Sequence, residues 1–443
     1  MSSVRVLGEL DATFAWDGVE LYGETDLAVG RKPPSTLRGS AGTAVMDADG
    51  KRWRLVRDPL GLNKLFWAGR PDGGVDLAAR PWTLVEQGHE LEEIAAVPRG
   101  AVLDLDPAQG EPLAASLVPA GWSVAPPPAQ VGAKEGREIR ELLDRYLAAI
   151  AARHPGAPVF VCLSGGLDST GIAVLVAEHF PEAVAVSFDL ALGRAVASED
   201  RRTAVRLARD LGLPLLEATV TADELLEPLD TVLREGIDWR DFNVHAALVN
   251  AAMAAAIAGA GTRASERPLV FTGDLANEFL IDYEPERYRG ETYYPLPRLA
   301  PVALRSFLVR GLDSCHREVG IFEAWSMRLV QPYAVAVDTY MKLPEAFLRL
   351  PDRKERLCRA IFGEAIPDYV LGRPKARAQV GGADQAGGVL ATCVDRGLDA
   401  AALRRRFAEL HGGADDSALD RFIRAGRYRA RAPHFEGPAD ERG

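Results

Sequence analysis

The chain has 443 residues, of which 47 % are hydrophobic and 26 % are charged, so it can bury a large core and is expected to form two or three domains. Its formal net charge of −11 argues against a nucleic-acid partner, because phosphate binding needs clustered lysine and arginine. The four cysteines show no CxxC spacing, which argues against a zinc site and is typical of a reducing compartment.

The first 120 residues predict a β-rich domain. Short alternating runs, among them Lys51–Arg57 and Ala101–Asp106, are separated by turn-forming glycine, proline and aspartate. The proline-rich segment Gly121–Gln130 is typical of a stiff linker. The expected organisation is a first domain at 1–120, a linker at 121–134 and a second domain at 135–443.

The amino-terminal sequence lacks the charged-then-apolar pattern of a signal peptide. The alanine-rich stretch Ala246–Ala260 is the best candidate for a membrane span, but it is interrupted by Asn250 and is too short to cross a bilayer. We therefore expect a packed helix at this place, and a cytoplasmic protein that has no membrane partner.

From residue 135 onwards the pattern alternates between helices and strands. A helix is predicted at 135–153, and Pro158–Leu163 is the short continuous apolar run of a strand buried on both faces. The later elements are predicted as helices at Gly171–His179 and Asp200–Leu211 and strands at Ala183–Phe188, Leu213–Ala218 and Pro268–Thr272. This order predicts an α/β domain with a parallel sheet and helices on both faces, followed by a mostly helical part from about residue 300.

The most informative motif is SGGLDS at residues 164–169, between the first of these strands and the following helix. Its two glycines let the backbone approach a ligand, and its N–H groups together with the helix N-terminus attract an anion. Asp168 would repel a phosphate unless Mg²⁺ lies between them. The motif is neither a Walker loop nor the dinucleotide fingerprint GxGxxG. It predicts a site for the phosphates of a nucleotide.

SGGLDS resembles the pyrophosphate loop of the N-type ATP pyrophosphatases. Further stretches, in the same order along the chain, resemble the asparagine synthetase/β-lactam synthetase group over roughly residues 140–380. These stretches are Val186–Phe188, Ser198–Asp200 with Leu211–Pro214, Phe271–Phe279 and Val370–Lys375. The resemblance implies an adenine nucleotide α-hydrolase-like (PP-loop) synthetase domain.

The resemblance extends to the first domain. Gly42–Asp47 and Arg57–Trp67 are similar to segments of the family's glutamine-hydrolysing domain, which is of the Ntn-type amidotransferase class. Ser2 stands where that domain has its nucleophilic cysteine, and no cysteine precedes Cys162. The resemblance therefore implies a truncated, degenerate amidotransferase-like domain in which glutamine hydrolysis is lost. Ser2 as a replacement nucleophile is the less favoured alternative.

For the nucleotide, the resemblance implies ATP and Mg²⁺ as cofactors. The residues that it assigns to ATP are Ser164, Gly165, Gly166, Leu167, Asp168, Ser169, Ser187, Phe188 and Gly273. It assigns the metal to Asp168 and Asn277. Asn277 departs from the family, which has aspartate there; its carbonyl oxygen can still bind a hard cation, but with less charge.

For catalysis, the resemblance indicates Asp274, Lys375 and Glu323. Asp274 stands where relatives carry a glutamate, or a tyrosine in the β-lactam-forming enzymes; a turn or N-cap residue is its structural alternative. Lys375 matches a lysine that contacts phosphates, with a solvated loop lysine as the alternative. Glu323 matches a family glutamate only if an insertion separates it from Gln331–Tyr333.

These features favour an AMP- and pyrophosphate-forming amide synthetase. Its partners would be a small-molecule or peptide carboxylate and an amine, ammonia or the substrate's own amine, in specialised metabolite biosynthesis. The alternatives are a PP-loop enzyme that modifies nucleic acid, which the acidic composition disfavours, and a non-catalytic nucleotide-binding scaffold. A homodimer is the default expectation for the assembly.

Overall fold

The computed structural model describes residues 4–7, 14–16, 21–22, 38–40, 42–46, 53–58, 60–62, 64–90, 93–99, 101–106, 111–117, 131–191, 198–261, 267–312, 318–373 and 388–410. These residues belong to two compact units. The described part of the first unit comprises residues 4–117 with 309–312, and that of the second comprises residues 131–308 and 318–410. The predicted linker lies outside the described residues up to residue 130.

The first unit is built from short strands, as its alternating sequence predicts. The strands are β1 Val4–Val6, β2 Phe14–Trp16, β3 Leu21–Tyr22, β4 Arg38–Ser40, β5 Gly42–Met46, β6 Trp53–Arg57, β7 Phe66–Gly69, β8 Val75–Ala78, β9 Ala95–Ala96, β10 Ala101–Asp106 and β11 Glu111–Leu117. They form sheets of order β1-β8-β7-β9, β11-β10-β6-β5 and β3-β2-β4, in which every pair except β1 with β8 is antiparallel.

A small apolar core lies between these strands, and it includes Leu55, Leu77 and Leu103. The turn that follows β6, in the stretch Arg57–Trp67, is held by Arg57. Its buried guanidinium donates hydrogen bonds to the backbone oxygens of Val97 at 2.7 Å and Gly61 at 3.1 Å. Because these contacts satisfy buried carbonyl groups, they give this arginine a structural role in the turn.

The second unit contains a five-stranded parallel sheet of order β14-β13-β12-β15-β18. Its strands are β12 Val159–Cys162, β13 Val184–Leu190, β14 Leu215–Val220, β15 Leu269–Phe271 and β18 Arg328–Val330. Four of them are the predicted strands, shifted by one or two residues at their ends. The fifth, at the edge, lies in the part of the chain predicted to be mostly helical. A separate hairpin is formed by β16 Glu286–Tyr288 and β17 Glu291–Tyr293.

Helices account for most of the remaining described residues. They are α1 Pro81–Glu86, α2 Ala133–Arg153, α3 Leu167–His179, α4 Glu199–Asp210, α5 Ala222–Leu226, α6 Leu229–Gly236, α7 Asp241–Gly259, α8 Ala276–Leu280, α9 Pro301–Gly311, α10 Val319–Ala324, α11 Val337–Met341, α12 Glu345–Leu348, α13 Arg353–Phe362, α14 Asp368–Leu371, α15 Gly388–Asp395 and α16 Ala400–Leu410, with 3₁₀ turns at Pro332–Ala336 and Gly363–Ala365. The mixed α/β class and the helical carboxyl-terminal part are confirmed.

Helix α7 contains the alanine-rich stretch. It is the one helix in the described ranges that is long and apolar enough to cross a membrane, and 67 % of its apolar window is buried within the protein. Its apolar residues therefore have a partner in the core, as the sequence predicts for a packed helix. Small alanine side chains let it pack closely, and it contacts strands β13 and β14 of the sheet.

Candidate active site

The SGGLDS loop lies at the point where the strand order of the sheet reverses. Strand β12 is central, β13 and β14 extend to one side of it, and β15 and β18 extend to the other. In open parallel sheets, the crevice outside the carboxyl ends of the strands at such a point is where ligands bind. A cavity of about 390 Å³ is found there, and residues 164–169 are part of its lining.

The loop is pre-shaped by hydrogen bonds among its own residues. The Ser164 N–H donates to Ser169 Oγ at 3.2 Å, and the two serine hydroxyls are 3.0 Å apart. Gly166 N–H donates to Ser164 Oγ at 3.3 Å, while its carbonyl accepts the Thr170 N–H at 3.0 Å. That last bond starts helix α3 at Leu167, four residues before the predicted Gly171. The loop thus leads directly into a helix N-terminus, which favours anion binding.

Two glycines permit the close packing around the loop. Gly165 has a φ of +78°, which a residue with a side chain rarely adopts. At Gly273, just after β15, a Cβ atom would lie 2.6 Å from both the carbonyl carbon of Asp168 and the nitrogen of Ser169. Glycine at this position is therefore needed for the end of β15 to pack against the loop backbone.

Lys354, on helix α13, binds the acidic end of the loop. Its ammonium nitrogen lies 2.6 Å from Asp168 Oδ2, 2.8 Å from Asn277 Oδ1 and 2.8 Å from Asp282 Oδ2. Burial acts to lower the pKa of Lys354, but the charges and hydrogen bonds of the two aspartates outweigh it, so the pKa is above its ordinary value. Lys354 is consequently charged at neutral pH.

Two of the three residues that bind Lys354, Asp168 and Asn277, are the predicted ligands of the metal ion. Two carboxylates and an amide carbonyl are oxygen ligands of the kind that Mg²⁺ prefers. In this arrangement, however, the ammonium of Lys354 occupies the space between Asp168, Asn277 and Asp282. The oxygens therefore do not fit a divalent ion as long as the lysine stays in place.

The segment around helix α8 positions two of these ligands. Leu275 and Ile281, which flank the helix, have left-handed φ angles of +81° and +51°, a conformation that is costly for such side chains. Arg353 holds the turn by donating to the carbonyls of Leu280 at 2.7 Å and Ile281 at 3.0 Å. These two hydrogen bonds hold the turn in which Asp282 lies next to Lys354.

The structure brings together most residues that the sequence assigns to the site. The lining of the cavity includes Ser164, Gly165, Gly166, Leu167, Asp168, Ser169, Phe188, Gly273, Asp274 and Asn277. Among the described residues, Asp274 has no hydrogen bond or ion pair. Ser187 is not part of the lining; it is buried in β13, and its hydroxyl has no partner among the residues that are described.

Two of the catalytic assignments, Glu323 and Lys375, are also absent from the described lining. Glu323 is buried in helix α10 and does not line the cavity, whereas Glu318, which immediately precedes that helix, does. Glu318 accepts a hydrogen bond from Gln331 Nε2. Lys375 lies outside the described residues. The nearest described residue before it is Arg373, which pairs with Asp200 and donates to the Ser164 carbonyl at 3.4 Å.

Sequence reasoning missed Lys354, Glu318 and Thr272 as site residues. Thr272 lines the cavity, and its buried hydroxyl has no hydrogen-bond partner among the described residues. Thr272 lies within the stretch Phe271–Phe279, so this family-like motif could have indicated it as a site residue. No local pattern marks the other two residues, because they reach the cavity from elements far along the chain.

Aromatic residues form one wall of the cavity. Phe242 and Tyr283 line it, and their rings meet edge to face at 5.9 Å between centroids. The Tyr283 hydroxyl donates to Glu278 Oε1 at 2.5 Å, and Tyr294 packs behind Phe242 at 5.3 Å. Cys162 also lines the cavity, and burial, with a contribution from Asp274, raises the pKa of its thiol, which disfavours the nucleophilic thiolate.

A parallel sheet with a glycine-rich loop at its switch point, leading into a helix N-terminus, is an arrangement that suits the binding of a nucleotide. Residues 138–312 match the family model described as asparagine synthase. The chain therefore carries a domain of the asparagine synthase family of ATP-dependent amide-forming ligases. No curated protein matches the chain.

Three solved structures are similar to this chain at low identity. NMN synthetase from Francisella tularensis is 14 % identical, with a TM-score of 0.32, and the match covers 70 % of this chain and 98 % of that chain. The NH₃-dependent NAD synthetase from Campylobacter jejuni is 13 % identical, with a TM-score of 0.31 and coverages of 70 % and 99 %. NAD⁺ synthetase from Burkholderia pseudomallei is 15 % identical, with a TM-score of 0.29 and coverages of 68 % and 90 %.

Proposed function

We propose that this protein is an amide synthetase that splits ATP into AMP and pyrophosphate. In the first step, an oxygen of the substrate carboxylate attacks the α-phosphorus of ATP, which forms an acyl-adenylate and releases pyrophosphate. In the second step, an amine attacks the acyl carbon, and AMP leaves with the oxygen it received. The observation that carries this proposal is the SGGLDS loop at the switch point, closed against Gly273.

The roles of the loop residues follow from their positions. The N–H groups of Ser164 and Gly166 already donate to serine hydroxyls and shape the loop. The Gly165 N–H, the N–H groups in the first turn of helix α3 and the hydroxyls of Ser164 and Ser169 would bind the phosphates. Phe188 lines the cavity at the end of β13 and offers an apolar surface for the adenine. Arg373 donates to the Ser164 carbonyl at 3.4 Å. The role of Lys375 beside the phosphates is assigned by the resemblance alone.

Asp274 is the residue we assign to the amine. Its carboxylate lines the cavity without a hydrogen-bond partner among the described residues, so it is available to bind or deprotonate an incoming ammonium.

The charge of the described cavity lining also favours a cationic amine substrate. Its acidic side chains are Asp168, Asp200, Asp274, Glu318, Asp282, Asp352 and Glu355, and its basic ones are Lys354 and Arg373.

Mg²⁺ remains an expectation that comes from the resemblance, and no step above requires it at Asp168 and Asn277. When bound, a divalent ion would neutralise charge on the phosphate oxygens.

The remaining features of the proposal are that glutamine is not the nitrogen source, that the product belongs to specialised metabolism, and that the protein acts in the cytoplasm. No cysteine precedes Cys162 in the sequence, which supports the first of these.

The test is pyrophosphate exchange. The purified full-length protein is incubated with Mg-ATP, labelled pyrophosphate and pools of carboxylic acids without any amine. We expect acid-dependent incorporation of label into ATP, and transfer of one ¹⁸O atom from a labelled carboxylate to AMP when an amine is added. Asp168→Ala should abolish both signals, and Asp223→Ala, on an exposed face of helix α5, is the matched control. Formation of ADP and phosphate in place of AMP would refute the mechanism.

A further inference from the structure

The position where the sequence predicts a metal ion is filled by a side chain of the protein itself. Lys354 has three N–H donors, and each has one oxygen acceptor, from Asp168, Asn277 and Asp282. The side chain is 14 % exposed. All donors of this ammonium are satisfied, and its removal would deprive the carboxylates around it of a counter-charge.

The side-chain cations already present offset the charge of the oxygen set. Asn277 supplies a neutral carbonyl where relatives have a carboxylate, so the set carries two negative charges from Asp168 and Asp282. Lys354 offsets one of these charges, and Arg353, whose guanidinium lies 3.7 Å from Asp282 Oδ1, offsets the other. A divalent ion added beside the ammonium would be repelled at close range. The departure at Asn277 is thus consistent with a lysine at this place.

The surrounding fold holds the lysine in position. Lys354 is the second residue of helix α13, and its neighbour Arg353 fixes that end of the helix to the carbonyls of Leu280 and Ile281. The backbone N–H of Asp282 in turn donates to the backbone carbonyl oxygen of Asn277 at 2.9 Å. Helix α13 and the α8 segment are therefore joined by contacts that do not involve the ammonium, and these contacts define where it lies.

We propose that Lys354 is the resident cation of this site: in the nucleotide-free protein its ammonium, and not a divalent metal ion, neutralises Asp168 and excludes metal from the Asp168, Asn277 and Asp282 oxygens. The proposal concerns the protein before ATP binds, and it does not depend on the reaction proposed above. Lys354 acts here as a positioning residue, because it sets the charge and the shape of the loop that receives the phosphates.

The experiment measures Mn²⁺ binding to the nucleotide-free, full-length protein, with the electron paramagnetic resonance signal of free Mn²⁺ as the readout. Wild type and Asp168→Asn should give the same isotherm, because the carboxylate is already paired. Lys354→Met should gain one site that is at least tenfold tighter than any in the wild type. Adding Asp168→Asn to that variant should remove the new site. Lys342→Met, the same change at a lysine outside the cavity, should behave like wild type.

Either of two results would overturn the proposal. One is a wild-type Mn²⁺ site that Asp168→Asn abolishes, since this would mean that a metal already holds Asp168. The other is a folded Lys354→Met protein, as judged by circular dichroism, that binds no more Mn²⁺ than wild type. The comparison of wild type with Asp168→Asn decides the question by itself if Lys354→Met does not fold.

Discussion

Asp274 is the residue whose replacement should separate the two halves of the proposed reaction. In Asp274→Asn the loop and its hydrogen bonds are untouched, because no described residue is bonded to this carboxylate. We expect acid-dependent pyrophosphate exchange within about threefold of wild type, and amide formation reduced about 100-fold, the usual effect of losing a general base. Both rates are measured on the same preparation. Asp223→Asn is the control, and an equal loss of both activities would contradict the assignment.

His245 gives a prediction about acid stability. It is fully buried in helix α7, its Nδ1 lies 2.7 Å from the Tyr294 hydroxyl, and burial lowers its pKa from 6.5 to about 3. As pH falls below 6.5, His245 binds a proton in the unfolded chain but stays neutral in the folded protein. The free energy of unfolding therefore decreases from about pH 6.5 down to about pH 3, with a limiting slope of about 1.4 kcal/mol per pH unit from this residue.

Urea denaturation of His245→Asn between pH 4 and pH 7 checks this expectation. Asparagine keeps a polar group near Tyr294 and cannot titrate, so the variant should be less stable at pH 7 but less sensitive to acid. Its slope should be shallower than that of wild type by about 1.4 kcal/mol per pH unit at most. A slope equal to that of wild type would show that His245 does not titrate in this range on unfolding.

At the scale of elements, the contact between the end of β15 and the loop is tested by Gly273→Ala. The added Cβ would lie 2.6 Å from backbone atoms of Asp168 and Ser169, which cannot move without displacing the loop. We expect the Kd for ATP, measured by calorimetric titration, to rise at least tenfold with the far-ultraviolet circular dichroism unchanged. Gly259→Ala is the matched control, since a Cβ there meets no atom within 4 Å. An unchanged Kd in Gly273→Ala would contradict the packing argument.

The sheet was largely predictable because strands buried on both faces have continuous apolar sequences. Val159–Cys162 and Val184–Leu190 are of this kind, and both were placed within two residues at their ends. The edge strand Arg328–Val330 was not predicted, since three residues carry no periodicity. Helix α3 begins earlier than its apolar pattern suggests, because its first turn is made by the loop residues themselves.

The site was predictable where it is contiguous in sequence and unpredictable where it is assembled by the fold. Residues 164–169 and Asp274 belong to motifs, and the structure places them around one cavity. Lys354 is 186 residues from Asp168 along the chain. Its local sequence is that of an ordinary charged helix, and only the packing of helix α13 against the loop gives it a role. Glu323 was assigned to the site by a motif whose spacing did not match, and Glu318 lines the cavity instead.

At the scale of the whole molecule, the two units have separate cores and only the second carries the loop. Leu55 and Leu77 belong to the core of the first unit, whereas Val161 and Phe271 lie in the central strands of the second. Because ATP binds the folded form of the second unit, it should stabilise that unit by mass action. At a concentration of 100 times Kd the gain is about 2.7 kcal/mol.

Differential scanning calorimetry of the full chain tests this expectation. We expect two transitions, of which ATP raises the temperature of one and leaves the other unchanged, since a chain of two units is not required to unfold in a single step. In Gly273→Ala, which disturbs the loop, the shift at the same ATP concentration should fall to about half or less, since a tenfold rise in Kd lowers the gain to about 1.4 kcal/mol. It should be kept in Gly259→Ala and Asp274→Asn, which do not disturb the loop. A shift of the same size in Gly273→Ala would place the nucleotide away from the loop, and a shift in both transitions would mean that the two units unfold together.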